Sequence, residues 1–409
     1  MSEEDDNVLE LNSDVEIIAS DDDLQKHLEH HHSTDDDEDN QDSKINNDFA
    51  YVDTGHLLFN CNEPIYCCAV NTLRHMVALG TGDDRFLLID YNLNKILLSD
   101  NFSESVNIVK FNRKGNLICA ADLAGVLKVW HVDKIQDAAE FDSNQSSLIW
   151  TYDEGAEITF ITWHNLFDNV LFAGTINGSL WMWKIVSGEC KYFQGKSQSS
   201  LITLELFPCG LYVLAAFADG GIVKWNLKDG VTEAYNVLSD DPHNCEPICS
   251  IINKVGNYAF FGLKEGRLIV MSVAKQLTKL HDLVVIHDDS PNEFRYIESL
   301  CLNESETILS VGCATGDIVF YNLADYTIYS KYSVEQSPSV IKMIQLKSSI
   351  VAAYYDGFVR IVDARTCRHV NQVALKQCFN DAILDFELID DKRFIAVSES
   401  GKAKIFELP

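Results

Sequence analysis

The chain has 409 residues, of which 46% are hydrophobic. This is enough to form the hydrophobic core of one large repeat fold or of two to three ordinary domains. It carries 62 acidic residues against 32 lysines and arginines, a formal net charge of −30. This excess of negative charge would repel a phosphate backbone, which disfavours direct nucleic-acid binding and makes a basic protein the natural partner.

Residues 1–48 form the first predicted segment, an acidic tail. They contain 18 acids and 2 lysines, a charge of −16. In runs such as Asp21-Asp22-Asp23 the like charges repel one another, and few apolar side chains are present whose burial could offset that repulsion. We therefore expect this tail to be disordered. The alternative is a helix that forms on a partner. Its apolar stripe would consist of Val8, Leu11, Val15 and Ile18.

From residue 56 onward one unit recurs, in which a glycine turn is followed by a short apolar strand. One copy reads NGSLWMWK, residues 177–184. The residues equivalent to Trp183 recur at intervals of 41 to 53 positions; they are Ile89, Trp130, Trp183, Trp225, Met271, Tyr321, Val362 and Phe406. Five positions before each of them stands a glycine in seven copies and Asp84 in the first. Glycine and aspartate tolerate the positive φ of a tight hairpin turn, so the pattern predicts one hairpin per copy.

Each copy also has an apolar strand upstream of the hairpin and a more polar strand downstream. Four strands in 40 to 50 residues is the period of a propeller blade. We predict an all-β fold, an eight-bladed β-propeller over residues 49–409, in which adjacent blades cover both faces of each middle strand. The predicted blades lie near 62–101, 102–153, 155–195, 199–240, 245–285, 295–333, 338–376 and 380–409, the last completed by 56–61.

The last predicted blade has only three strands before the sequence ends at Pro409. The segment His56 to Asn60 precedes the first blade and resembles the outer strands of the other blades. We predict that it pairs with the last blade and closes the ring, because closure removes an exposed strand edge.

The copies resemble WD repeats, with strand ends such as LKVW at 127–130 and VKW at 223–225, although the usual Gly-His dipeptide is nearly absent. Within this class, residues 121–133, the stretch AGTINGSLWMWK and the final segments ILDFEL and GKAKIFEL resemble the angio-associated migratory cell protein family, as does the acidic tail. The resemblance implies a non-catalytic interaction protein, associated in animals with cell migration and angiogenesis. It also implies a chaperone role, since the fungal relatives hold a basic large-subunit ribosomal protein on an acidic propeller face.

One face of such a propeller combines the residues that lead into each innermost strand with the glycine turns. Five of these lead-in residues are acidic: Glu63, Glu104, Glu157, Glu246 and Asp381. The turns add Asp83, Asp84, Asp219, Glu265 and Asp356. We hypothesise that these carboxylates capture a basic protein segment. The alternative is ordinary solvated charge, and an aspartate directly before a glycine is a typical turn residue.

Motifs for catalysis are missing from the sequence. It contains no GxSxG, no phosphate-cradling GxxxxGK[ST] and no HExxH, and its twelve cysteines show no zinc spacing. We therefore predict a protein that is not an enzyme and has no cofactor and no metal site. Reduced cysteines, together with the lack of an apolar membrane span or a signal peptide, indicate the cytoplasm, with the nucleus as an additional location.

Three functions remain open at this point. The first is a holding chaperone for a basic ribosomal protein during large-subunit assembly, the second is a signalling or cytoskeletal scaffold in migrating cells, and the third is a substrate receptor of a ubiquitin ligase. We expect the protein to act as a monomer in each case.

Overall fold

The computed structural model describes residues 55–136, 147–195, 198–239, 245–287, 294–334, 338–364 and 375–408. These residues form eight antiparallel sheets of four strands each. The predicted acidic tail, residues 1–48, and its apolar stripe lie outside the described residues.

The strands follow the chain in an unbroken series. Up to residue 237 the elements are β1 (His56–Asn60), β2 (Ile65–Asn71), β3 (Met76–Thr81), β4 (Arg85–Asp90), β5 (Lys95–Asn101), β6 (Val106–Phe111), β7 (Leu117–Asp122), β8 (Val126–His131), α1 (Val132–Gln136), β9 (Leu148–Asp153), β10 (Ile158–Trp163), β11 (Val170–Thr175), β12 (Ser179–Lys184), β13 (Glu189–Gln194), β14 (Leu201–Leu206), β15 (Tyr212–Phe217), β16 (Gly221–Asn226) and β17 (Thr232–Val237). The later elements are β18 (Pro247–Ile252), β19 (Tyr258–Leu263), β20 (Arg267–Ser272), β21 (Thr278–Val284), β22 (Ile297–Leu302), β23 (Ile308–Cys313), β24 (Ile318–Asn322), β25 (Ile328–Tyr332), β26 (Val340–Leu346), β27 (Ser349–Tyr354), β28 (Phe358–Asp363), β29 (Leu375–Gln377), β30 (Ile383–Leu388), β31 (Arg393–Ser398) and β32 (Lys402–Glu407).

Seven blades use four consecutive strands, from β2–β5 to β26–β29, and the eighth has the order β30-β31-β32-β1. The first strands of successive blades pack side by side, for example β2 with β6 and β18 with β22. The contact between β30 and β2 brings the last blade against the first. The predicted eight-bladed propeller is therefore confirmed.

The ring closes through β1, which pairs with β32 so that His56 lies opposite Ile405 and Asn60 opposite Lys402. Just beyond β1, the backbone N–H of Cys61 donates to the carbonyl oxygen of Gly401 over 2.9 Å. Leu58 is buried in a cluster shared by the first and eighth blades. The predicted closure by an N-terminal strand is confirmed, and it leaves β32 with a partner on each side.

The four apolar residues at 180–183 are explained by the neighbours of β12. Trp183 packs with side chains of the second blade. Leu180, three residues earlier, packs with side chains of the fourth blade. Because neighbouring blades cover both sides of the sheet, an alternating polar pattern is not needed in a middle strand.

The hairpin turns between the second and third strands have the predicted backbone conformation. Their seven glycines have φ between 69° and 97°, and Asp84 has a φ of 65° in the first blade. A polar side chain at the end of the preceding strand secures several of these turns. Asp122 accepts the N–H of Val126 over 2.8 Å, and Thr175 accepts that of Ser179 over 3.2 Å.

At the other ends of the strands, side chains tie neighbouring blades together. The side-chain amide of Asn71 donates to the carbonyl oxygen of Gly115 over 2.8 Å, and that of Asn112 donates to Asp168 over 2.8 Å. The Nε2 atom of His164 lies 3.0 Å from the carbonyl oxygen of Gly210, while its Nδ1 atom accepts the N–H of Leu166. These bonds connect successive blades in a chain whose repeats mostly lack the usual Gly-His dipeptide.

Two features are absent from the described residues. None of the helices there is long and apolar enough to cross a membrane. In the same part of the chain, no three histidine, cysteine or acidic side chains are grouped in a way that could hold a metal ion.

Candidate partner-binding face

The lead-in residues and the glycine turns lie on the same face, because antiparallel strands bring alternate connections to the same end of a blade. Backbone hydrogen bonds join the two sets directly. The N–H of Ile176, in a turn, donates to the carbonyl oxygen of Glu157 over 3.0 Å, and the N–H of Lys264 donates to that of Glu246 over 3.0 Å. We call this side of the propeller the acidic face.

Several predicted acids on this face already have partners. The Nζ atom of Lys264 lies 2.9 Å from a carboxylate oxygen of Glu246. Arg360 donates to Asp356 over 3.0 Å, and the carboxylate of Asp381 accepts the backbone N–H of Ser400 over 2.6 Å. The fifth, seventh and eighth blades therefore present carboxylates that are engaged within the fold.

Asp83, in the first blade, is also engaged. It pairs with Arg85 and accepts a hydrogen bond from the hydroxyl of Thr81. Partial burial opposes ionisation, but the hydrogen bonds from Arg85 and Thr81 outweigh it and hold the pKa of Asp83 below its ordinary value. Its negative charge is thus largely neutralised by the neighbouring guanidinium.

Two further turn acids have different surroundings. Asp219 is exposed, and its carboxylate accepts the backbone N–H of Gly221 over 3.0 Å, which is a structural turn bond. Glu265 is half-buried directly after Lys264.

Three lead-in glutamates differ from these residues. Glu63 and Glu104 are exposed and Glu157 is half-buried. Within the described part of the chain, their carboxylates form no hydrogen bond and no ion pair, and the same holds for the half-buried side chain of Asp84. These four residues belong to the first three blades.

A buried carboxylate supports the backbone that carries Glu104. Asp122 has no exposed surface, and it accepts the N–H of Ser103 over 3.2 Å, the hydroxyl of Ser103 over 2.8 Å and the N–H of Glu104 over 3.3 Å. Asp122 was not among the residues predicted from the sequence. The available signal was an aspartate at the end of the apolar strand LICAAD.

The structure adds two acids that the sequence analysis did not include, Asp153 and Glu154. Asp153 is exposed and accepts the N–H of Gly155 over 2.9 Å. Glu154 accepts the hydroxyl of Tyr152 over 2.9 Å. Burial and this hydrogen bond raise the pKa of Tyr152 to about 12, so the tyrosine remains a neutral donor. The run DEGAE at 153–157 was the signal for both residues.

The acids of blades one to three that lie on the acidic face form a patch, which we call the acidic arc. It consists of Glu63, Asp84, Glu104, Asp153, Glu154 and Glu157. Among the described residues none of these carboxylates is paired with a lysine or arginine, and such carboxylates on one surface produce a stronger local field than paired ones. The geometry is suited to attract a cationic segment.

Comparisons with known proteins place the chain among propeller proteins. The model of the family described as eukaryotic translation initiation factor eIF2A matches residues 56–184, less than half of the chain. The chain is 25% identical over 355 residues to the human angio-associated migratory cell protein, covering 84% of this chain and 77% of that protein. It is 23% identical over 343 residues to the ribosome assembly protein SQT1 of Saccharomyces cerevisiae, covering 75% of each.

Solved structures support the fold. The crystal structure of Saccharomyces cerevisiae Sqt1 matches with a TM-score of 0.77 at 20% identity, over 86% of this chain and 98% of that chain. Chaetomium thermophilum Sqt1 bound to the N-terminus of the ribosomal protein L10 matches with a TM-score of 0.72 at 17% identity, over 85% and 97%. The chain thus has the propeller fold and is similar to the angio-associated migratory cell proteins and to SQT1, which confirms the resemblance found in its sequence.

Proposed function

We propose that this protein is a non-catalytic, cytoplasmic chaperone-type factor that holds a basic segment of a ribosomal protein on its acidic face during large-subunit assembly. The observation that carries the proposal is the acidic arc, where lead-in glutamates of the first three blades have no partner within the described residues. The name of the yeast relative and the ribosomal peptide bound to the Chaetomium protein support the choice of partner.

The arrangement of charge favours rapid association with a cationic segment rather than one strong ion pair. A single exposed ion pair contributes about 0 to 1 kcal/mol, so no individual glutamate would be sufficient. Several carboxylates on one surface steer a cationic segment toward it and accelerate association, particularly at low ionic strength. A newly made ribosomal protein with a basic terminus matches this requirement.

The predicted binding residues are proposed to have two different roles. Glu63, Asp84, Glu104 and Glu157 are proposed as direct contacts, because their carboxylates are free. Asp83, Glu246, Glu265 and Asp381 are proposed to shape the rim of the face. A ligand would have to displace Arg85 from Asp83 or Lys264 from Glu246 before it could use those two charges.

Calorimetric titration of the purified chain with a synthetic peptide tests the proposal. The peptide is the N-terminal segment of ribosomal protein L10 from the same organism, and its control has every lysine and arginine replaced by glutamine. We expect one peptide to bind per chain and the affinity to fall as salt is raised from low to physiological ionic strength. Equal affinity for both peptides, or no binding at low salt, would show that the acidic face has another role.

A second candidate function is a scaffold in cell migration, which is favoured by the name of the mammalian relatives at 25% identity. Affinity capture from a cell extract at two salt concentrations separates the two functions. A single stoichiometric ribosomal protein that is lost at high salt supports the chaperone. Cytoskeletal or membrane regulators that remain bound at high salt support the scaffold.

A further inference from the structure

A cleft of about 480 Å³ lies between the third and fourth blades, on the side opposite the acidic face. It is built from the connections β10–β11 and β12–β13 of the third blade and the corresponding connections of the fourth. Its wall is apolar, with Phe167 58% exposed and Leu211 52% exposed above the buried side chains of Val170 and Leu227. Large apolar side chains exposed around one concave site are typical of a binding surface.

Hydrogen bonds across the junction hold the cleft in shape. The Nε2 atom of His164 lies 3.0 Å from the carbonyl oxygen of Gly210. The Nζ atom of Lys191, in the third blade, donates to the carbonyl oxygen of Leu227 in the fourth over 2.9 Å. Because both blades are tied together at the cleft, a ligand would enter a site that already exists.

The charge of the cleft is opposite to that of the chain. Three lysines and one glutamate line it, whereas the whole chain has a net charge of −30. Lys184 is paired with Glu189 over 2.6 Å. Lys228 is exposed, and among the described residues its ammonium group has no hydrogen bond and no ion pair. The cleft therefore combines an apolar wall with excess positive charge at its rim.

We propose that this cleft docks an acidic peptide segment that carries large aliphatic or aromatic side chains. The apolar side chains pack between Phe167 and Leu211, and carboxylates of the peptide pair with Lys228 and Lys191. Since the cleft and the acidic arc lie on opposite faces, the protein binds an acidic partner and a basic partner at the same time. This inference does not depend on the identity of the basic partner.

Fluorescence anisotropy with the full chain tests the proposal, with a fluorescein-labelled peptide EDLLEFD as the probe. Leu211→Asp places a carboxylate in the apolar wall, and we expect it to weaken binding by about tenfold or more. Lys228→Glu removes the free cation and is expected to weaken binding by about fivefold. The matched controls are Leu73→Asp, at an exposed leucine of the first blade on the same side, and Lys392→Glu, at an exposed lysine of the eighth blade. Both controls are expected to bind the probe as the wild type does.

Cys190 provides a second measurement, because it is exposed and lines the cleft. Bound probe is expected to slow the alkylation of Cys190 by N-ethylmaleimide, measured by mass spectrometry. The charge-reversed peptide KKLLKFK is expected to leave that rate unchanged. This readout uses the wild-type chain and does not depend on how any variant folds.

Three results would overturn the proposal. The first is no binding of the probe, or equal binding to the wild type and to both cleft variants. The second is equal protection of Cys190 by the acidic and the basic peptide. The third is a wild-type dimer in light scattering that Leu211→Asp dissociates, since the cleft would then hold a second copy of this chain.

Discussion

The Nζ atom of Lys264 lies 2.9 Å from the Oε2 atom of Glu246. This ion pair shows that the predicted acids of the face include carboxylates paired with a cation as well as unpaired ones. Glu246 occupies the same lead-in position as Glu157, while Glu104 lies one residue earlier in its own blade. The charge of Glu246 is already balanced by Lys264. The pKa of Lys264 is raised, first by its hydrogen bond to Glu246 and then by the attraction of that carboxylate. Glu246 and Glu157 therefore differ in charge state on the acidic face, since only Glu246 is paired with a cation among the described residues.

The first prediction concerns the free glutamates. Replacing Glu104 and Glu157 together by glutamine is expected to weaken binding of the basic ribosomal peptide by about tenfold, roughly 1.4 kcal/mol. The reason is that both carboxylates are available to a ligand without displacing a protein cation. Calorimetric titration at physiological salt measures the change.

The matched control removes the balanced pair. Replacing Glu246 and Lys264 together by glutamine keeps the net charge constant, and we expect the affinity to change by less than about twofold. Equal losses in the two double variants would mean that paired and unpaired carboxylates contribute alike, and the special role of the acidic arc would have to be abandoned.

The second prediction concerns the closure of the ring. Deleting residues 50–61 removes β1, exposes the edge of β32 and uncovers the cluster that contains Leu58. We expect this variant to aggregate or to lose its native circular dichroism, because an unpaired edge strand recruits other chains. Deleting residues 1–45 is expected to leave a folded protein. A stable, monomeric fragment 62–409 in size-exclusion chromatography would show that closure is dispensable.

Much of the fold could be predicted from the sequence because its signal is local and repeated. The glycine five positions before each Trp183 equivalent reports a turn within a single hairpin, and eight copies of that hairpin set the number of blades. The closing strand could be predicted because the last blade lacked a fourth strand. None of these inferences required knowledge of how side chains meet across blades.

The state of the acidic face could not be predicted in the same way. Lys264 stands next to Glu265 in the sequence, but its ammonium group pairs with Glu246, 18 positions earlier, because the turn and the lead-in segment lie side by side. Asp122 looks like any polar strand end, although it accepts four hydrogen bonds in a fully buried position. Such pairings depend on three-dimensional neighbours, which strand periodicity does not specify.

The third prediction tests the contact between a glycine turn and the closing segment. Gly401 has a φ of 78°, and a Cβ atom there would lie 2.5 Å from the carbonyl oxygens of Cys61 and Glu63. Gly401→Ala is therefore expected to lower the free energy of unfolding by about 3 kcal/mol or more. Gly188 is the control, since it has a φ of 70° but no atom within 4 Å of the added Cβ.

For Gly188→Ala, only the backbone penalty remains, about 1 kcal/mol. Urea unfolding followed by tryptophan fluorescence measures both variants. The same loss at the two positions would indicate that Gly401 is required for its φ alone and that close packing against the closing segment contributes nothing.

The fourth prediction concerns Asp122. Its replacement by alanine leaves the partly buried N–H groups of Ser103, Glu104 and Val126 without their acceptor. We expect the free energy of unfolding to fall by about 3 kcal/mol. Asp391→Ala is the control: Asp391 forms an exposed pair with Lys347, and its loss is expected to cost less than about 1 kcal/mol. If both variants unfold at the wild-type urea concentration, the bonds of Asp122 make no net contribution.

The fifth prediction concerns the carboxyl group of Glu205, which lies in β14, the first strand of the fourth blade. Burial raises its pKa from the ordinary 4.5 to about 7, although the hydroxyl of Ser250 donates a hydrogen bond to it over 2.7 Å. The folded chain therefore binds this proton more tightly than the unfolded chain does. The contribution of Glu205 to stability is full below pH 4.5 and is lost as the pH rises to about 7.

Glu205→Gln removes this titration while keeping an oxygen that can accept the hydrogen bond from Ser250. At about pH 8 the variant is expected to be more stable than the wild type by up to about 3 kcal/mol, and the difference is expected to shrink as the pH is lowered below about 5. Urea unfolding of both proteins at the two pH values measures the difference directly and cancels the titration of all other groups. A difference that does not change with pH would mean that the Glu205 carboxyl titrates alike in the folded and unfolded chains, and that its surroundings in the propeller do not penalise its charge.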